Sequence, residues 1–216
     1  MNKILIIGCG EHSKIVIENI EQQNKYKIVG LVGFDKKDLK KKIFNYPVLC
    51  LYENISIFLK KKKDIKFYFI GIGVAKNNMK IREKVINEMN KLLKTVNIIH
   101  PLSIVSKYAK IGNGNLFEAY SKLSCDCTIG NYCVIESFSS INHDQIIEDN
   151  VFIATNVSCA GKKIGRNTII ADGVTVGFKK AIGSNCLITD GVTVTKNIQS
   201  NKICYGNPIK IINNNF

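Results

Sequence analysis

The chain has 216 residues, with 31 Lys+Arg against 17 Asp+Glu and a formal net charge of +14. That length buries a core in one large domain or two small ones, and no apolar run approaches a membrane span. The lysines are scattered apart from clusters at 36–42 and 60–63, without a basic-aromatic motif, so the charge reads as solvated surface rather than a nucleic-acid site.

The N-terminus "MNKILIIGCG" is apolar too briefly, and broken by glycine too soon, for a secretory signal. A cytoplasmic location follows as an expectation, with the eight cysteines reduced. Cys125 and Cys127 form C-x-C with no second pair or histidine at zinc spacing, so no metal is expected and the cysteines read as small apolar fillers.

"KILIIG" (3–8) has the continuous apolar character of a buried parallel strand. It runs through Gly8 and Gly10 into "HSKIVIENIEQQN", a helix, then into strands "YKIVGLVGF" (26–34) and "KFYFIGIG" (66–73) and a helical "NMKIREKVINEMNKLL". Strand, glycine turn, helix, strand is a βαβ unit, whose first turn brings an anion to a helix N-terminus. The dinucleotide fingerprint needs a third glycine where Ser13 stands, which argues against a dehydrogenase or nucleotide sensor. Asp35, ending the second strand, is placed to meet ribose hydroxyls.

Near His100-Pro101 the pattern changes. Aliphatic positions recur every six residues from Ile111 through Phe117, Leu123, Ile129, Ile135, Ile141, Ile147 and Ile153 to Cys159. The register slips by one, then resumes at Ile164, Ile170, Val176, Ile182, Ile188 and Val194. Small or β-branched residues stand two places earlier, at Ala109, Ser121, Cys127, Cys133, Ser139, Val151, Val157, Thr168, Val174, Cys186 and Val192. Six fits neither a helix nor one strand. It fits short parallel strands linked by tight turns and wound into a solenoid around one aliphatic ladder. The expected architecture is an α/β Rossmann-like domain over residues 1–100 and an all-β parallel β-helix over 101–216.

The repeat resembles the hexapeptide motif of left-handed β-helix acyltransferases. "IIGCGEHSKIV", "FIGIG…KIREKV", "INHDQIIEDNVFIATNVSCAGKKIG" and "YGNPIKII" together resemble the sialic acid O-acetyltransferase and nucleotide-amino-sugar N-acetyltransferase group. The resemblance implies acetyl-CoA as co-substrate, no metal, and a homotrimer with active sites between subunits. It implies that the first domain binds a UDP-4-amino-4,6-dideoxy sugar through Gly8, Gly10, His12, Ser13, Asp35, Lys36, Gly73 and Arg82. His143 is then the general base, Asp144 orients it, the Gly161 N–H faces the thioester carbonyl, and Ala171, Thr189, Gly206 and Pro208 meet acetyl-CoA. Lys179, Lys180, Lys202 and Lys210 are further candidates, for the coenzyme phosphates.

Acetyl transfer needs a proton acceptor that titrates near neutrality, which is histidine, and a donor for the developing oxyanion, which a glycine backbone can supply at close range. The competing reading makes His143-Asp144 ordinary decoration on a turn. Three departures from the family stand out: Phe152 replaces a second histidine, a single Asp35-Lys36 replaces paired acids, and the register slips beside Gly161. Sialic acid O-acetylation is the nearest alternative. A β-helix carbonic anhydrase would need three metal histidines, and only His143 lies inside the repeat.

Overall fold

The computed structural model describes residues 1–74 and 78–213. The chain divides into two compact units, Met1–Ile98 and Ile99–Phe216.

The first unit is a doubly wound α/β layer. Strand β1 (Asn2–Ile7) leads to helix α1 (Glu11–Gln23) and β2 (Tyr26–Gly33). Then come β3 (Lys42–Ile43), β4 (Tyr46–Leu51), α2 (Ile55–Lys61), β5 (Ile65–Ile70), α3 (Asn78–Met89) and β6 (Lys94–Thr95). The sheet order is β3-β4-β2-β1-β5-β6, parallel except for β3. Ile4, Leu5, Ile6 and Ile7 are fully buried, as the continuous apolar run requires. Helix α1 packs Val16, Ile17 and Ile20 inward and stops at left-handed Asn24, whose N–H reaches the carbonyls of Ile20 and Glu21. The strand over 66–73 ends earlier than expected, at Ile70, and the final helix ends at Met89 rather than at Leu93. β4 and α2 escaped the sequence reading because both are short and flanked by lysine-rich turns.

Strand order reverses between β1 and β5, where α/β sheets open a crevice at the carboxyl ends of their strands. Gly8 sits there at φ +118, and a Cβ on it would lie 2.9 Å from the Gly71 carbonyl oxygen, so glycine is required by conformation and by space.

The second unit is a left-handed β-helix of three flat faces. The first face stacks Leu116–Phe117, Val134–Ile135, Phe152–Ile153, Ile169–Ile170 and Leu187–Ile188. The second stacks Ile104–Val105, Lys122–Leu123, Ser140–Ile141, Ser158–Cys159, Thr175–Val176 and Thr193–Val194. The third stacks Lys110–Ile111, Thr128–Ile129, Ile146–Ile147, Lys163–Ile164 and Ala181–Ile182. All pairs are parallel and in register, and the second residue of nearly every pair points into one core. A buried side chain of this size contributes roughly 1.5–3 kcal/mol before entropy is charged against it, so the ladder is the main source of stability.

Four-residue corners join the faces, and their third residue adopts left-handed backbone, as at Asp126, Asp144, Asn150, Asn156, Asn167 and Asn185. Asn and Asp tolerate that conformation better than other side-chain-bearing residues, which explains their regular recurrence. Asn150 donates to Asn167 (2.9 Å) and Asn185 to Asn201 (3.1 Å) up one such corner. The unit closes with Lys202–Tyr205, parallel on Leu187–Ile188, and an antiparallel last strand, Lys210–Asn213.

The cysteines do more than fill space. The Cys127 thiol donates to the Asn142 carbonyl (2.9 Å), Cys133 to Glu148 (3.1 Å) and Cys186 to Gln199 (3.2 Å), each bridging one coil to the next.

Candidate active site

His143 and Asp144 occupy the corner between the second and third faces. That corner is pinned at both ends by backbone bonds to the coil above: Asn142 N–H to Cys159 O (3.0 Å) and Ile146 N–H to Lys162 O (3.1 Å). Left-handed backbone at Asp144 (φ +62) turns its carboxylate back onto the imidazole, and Nδ1 and Oδ2 lie 2.6 Å apart. The contact that sequence adjacency left open is therefore made. Both side chains are exposed, 64% and 70%, so the imidazole is open to a substrate. A proton on Nδ1 donated to the carboxylate leaves Nε2 as the free acceptor.

The register slip is real. Where the corners directly below and above it, 142–145 and 177–180, have four residues, this one has three, Ala160-Gly161-Lys162, and Ile147 pairs with Ile164 without disturbance. Beside the shortened corner lies a cavity of about 370 Å³, lined by Asn142, His143 and Asp144, by Ala160, Gly161 and Lys162, and by Phe178 and Lys179. This brings His143, Asp144 and Gly161 together. Gly161 is a spatial requirement: a Cβ would stand 2.7 Å from the Lys180 carbonyl and 3.0 Å from Val176 Cγ1. Burial pushes the neighbouring Cys159 thiol up to about 12, against the opposing pull of the Gly161 N–H.

Phe178, 67% exposed with the Lys179 ammonium 5.2 Å from its ring centroid, was not singled out from sequence. The available signal was an aromatic in a corner otherwise built of small and polar residues. Ala171 and Thr189 lie on the corner between the first and second faces, and Gly206 and Pro208 in the terminal hairpin, where Asn207 anchors to Thr193 N–H and Gly191 O. None of these four lines the His143 cavity. Phe152 is buried on the first face, away from the cavity.

In the first unit, the predicted residues gather at the strand ends. Gly10 precedes α1, and no atom lies within 4 Å of where a Cβ on it would stand, leaving room for a ligand above the helix N-terminus. Ser13 is fully buried, and its hydroxyl donates to the Gly10 carbonyl, so it shapes the turn. His12 is partly exposed with Nε2 enclosed, and burial and the Arg82 guanidinium push it down to about 3, so it is neutral. Gly73 lies against it, since a Cβ there would meet His12 Cβ at 2.9 Å. Arg82 is buried and donates to the Ile72 carbonyl (2.7 Å).

Asp35 caps the short helical turn Lys36–Lys40, accepting from Lys37 N–H (3.0 Å), and stays exposed with Lys36. The organising acid of this loop is Asp38, which the sequence did not reveal. It is buried, accepts from Phe34 N–H (2.9 Å) and Asp35 N–H (3.0 Å), and is held well below the usual carboxylate range by Lys41. Phe34, half exposed beside it, stacks on Tyr52 with ring centroids 5.1 Å apart.

Among the described residues, no helix is long and apolar enough to cross a membrane, and no cluster of His, Cys, Asp and Glu is arranged to hold a metal ion.

The second unit is thus a three-faced solenoid of six-residue rungs with a histidine in a corner cavity. The bacterial transferase hexapeptide family matches residues 108–143, and the PglD N-terminal domain family matches residues 3–89. The two matches fall one in each unit, the first on the α/β sheet and the second on the early coils of the solenoid. Among solved structures the chain is similar to a His-to-Asn variant of perosamine N-acetyltransferase from Caulobacter crescentus, in complex with CoA and GDP-perosamine. Identity there is 21%, coverage 98% of this chain and 97% of that one, and the TM-score 0.88. It is also similar to the acetyltransferase domain of PglB from Neisseria gonorrhoeae FA1090 (22% identity, 98% and 100% coverage, TM-score 0.84) and to WeeI from Acinetobacter baumannii AYE (20%, 97% and 100%, 0.72). Among curated proteins, none matches the sequence.

Proposed function

We propose that the protein transfers the acetyl group of acetyl-CoA to the amine of a nucleotide-linked amino sugar. The observation that carries this reading is the exposed His143–Asp144 pair opening onto a cavity that also holds Gly161. The acceptor amine, as the free base, attacks the thioester carbonyl carbon. His143 Nε2 takes the proton that the nitrogen sheds as the C–N bond forms, and Asp144 stabilises the imidazolium through Nδ1. Collapse of the tetrahedral intermediate breaks the C–S bond, and the imidazolium returns its proton to the departing CoA thiolate. We assign the Gly161 N–H to the thioester oxyanion. The cavity suits the thioester end of the coenzyme, and Lys162 and Lys179 at its rim suit phosphate.

The first unit is assigned to the nucleotide. Its pyrophosphate belongs over Gly10 at the α1 N-terminus, and the exposed ring of Phe34 offers a stacking surface for the base. The perosamine enzyme has a GDP-sugar bound, so both UDP- and GDP-linked acceptors belong in the assay. We further propose a homotrimer acting in the cytoplasm. Ala171, Thr189, Gly206 and Pro208 lie off the cavity's corner, so a site that uses them together with His143 needs a second copy.

The test is acetyl-CoA consumption with UDP- and GDP-linked amino sugars and CMP-sialic acid, with His143→Ala as control. Turnover on an amino sugar that collapses in the variant supports the reading. Turnover confined to the sialic acid, or a variant that keeps wild-type rates, overturns it. Light scattering checks the trimer; a fully active monomer rules it out.

A further inference from the structure

We propose that Gln145 is a positioning residue that sets the gap between the His143 corner and Gly161, an inference that rests on the acetyl-transfer reading above. Gln145 is 1% exposed, a buried amide at an inward corner position that small residues usually fill. Elsewhere in the solenoid, Asn115, Ser139 and Thr168 at such positions follow one rule. Thr168 Oγ1 donates to the Gly183 carbonyl (2.9 Å) and accepts from Cys186 N–H (3.1 Å). Asn115 donates to Gly130 O (2.9 Å) and accepts from Cys133 N–H (2.7 Å). Each thus bonds a carbonyl at the start of the next corner and the N–H of the inward residue at its end.

Above Gln145 that rule cannot operate, because the corner is one residue short and its last member, Lys162, points outward and is exposed. The longer glutamine side chain supplies the missing link with a single partner. Its Nε2 donates to the Cys159 carbonyl, and its Oε1 accepts from the Cys159 thiol (2.9 Å). The same carbonyl accepts from Asn142 N–H (3.0 Å). Both ends of the Asn142–Gln145 corner, which carries the base, are therefore fastened to Cys159, the residue two before Gly161. A buried amide is costly unless both its ends are bonded, and apolar side chains fill equivalent places at Val157, Val174 and Val192, so packing alone does not call for glutamine. What the amide adds is a fixed height between base and donor, the kind of placement on which a displacement of about 1 Å can cost about a hundredfold in rate.

The test uses the full-length protein with two substitutions. Gln145→Met keeps the volume and loses both bonds; kcat is expected to fall about 10- to 100-fold with KM for acetyl-CoA within about threefold and little change in melting temperature. Gln145→Glu keeps the acceptor and recovers the donor only when protonated, so its kcat relative to wild type is expected to rise as pH falls. Imidazole ¹⁵N spectra of His143 provide a substrate-free readout, in which the Met variant is expected to shift or broaden the ring signals. Wild-type kcat and an unchanged His143 spectrum in the Met variant would overturn the inference. So would a parallel collapse of kcat, KM and melting temperature in both variants, which marks a packing residue. If the wild type acetylates no acceptor, the proposed function fails while the spectra still decide the role of Gln145.

Discussion

The two units hold their chemical groups in opposite ways. In the α/β unit, the residues facing the crevice come from the ends of different elements: Gly10 from the first turn, Phe34 from the end of β2, Gly73 after β5. Each is aimed by its own local device, such as the Asp38 hub beneath Phe34. In the solenoid, His143 and Gly161 are equivalent positions of successive coils, so their separation is the rung spacing itself. A loop site can be re-aimed one residue at a time, whereas a rung site is altered by changing a corner, as the missing residue beside Gly161 does.

Substitutions can sharpen or break this contrast, and the largest effects belong to the solenoid. His143→Ala is expected to lower kcat by about 10²–10⁴, read by acetyl-CoA consumption, because no nearby group replaces the base. Gly161→Ala drives a Cβ into the Lys180 carbonyl, a backbone atom, so a stability loss of about 1–3 kcal/mol is expected in urea titration together with lost turnover. Asp144→Asn, which frees the imidazole tautomer but keeps the turn, is expected to cost at least about tenfold in kcat with little change in KM. In the first unit, Phe34→Ala is expected to raise KM for the nucleotide sugar about 2- to 10-fold and leave kcat alone, the effect of losing one aromatic contact. A large kcat loss there would break the division of labour.

The smallest expected effect separates the units by pH. Burial, then the Glu118 charge, pushes Glu136 up from 4.5 to about 7, so its contribution is complete below about pH 4.5 and is lost as pH rises through about 7. His12, pushed down from 6.5 to about 3, works in reverse: its contribution is present above about pH 6.5 and is lost as pH falls toward 3. Glu136→Gln should therefore raise the melting temperature at pH 8 and not at pH 4. His12→Gln should help only in acid.

Much of the solenoid was legible because its period is a property of the chain alone: every member of the six-residue series from Phe117 to Val194, across the slip, lies in the core. The pairing of His143 with Asp144 required knowing that corner residue three is left-handed, which the recurrent Asn and Asp hinted at. Asp38 and Gln145 were not legible. Each looks like an ordinary polar residue in sequence and acquires meaning only through partners that the fold delivers, Phe34 N–H for one and Cys159 for the other. Gly8 could be read from sequence as a turn glycine, but its close approach to Gly71 depends on β5 returning beside β1.

The hairpin of Lys202–Tyr205 and Lys210–Asn213 covers the edge of the stacked coils on one face. Interchangeable parallel rungs present a top edge that matches the bottom of any similar coil, an open invitation to end-to-end growth. Reversing direction at Lys210–Asn213 leaves an outermost strand of the wrong polarity for another parallel rung, and the Lys202 ammonium clamped on Asn213 (2.7 Å) places charge beside it. The strand Lys210–Asn213 therefore caps the stacked coils along this face and blocks a further parallel rung from pairing there.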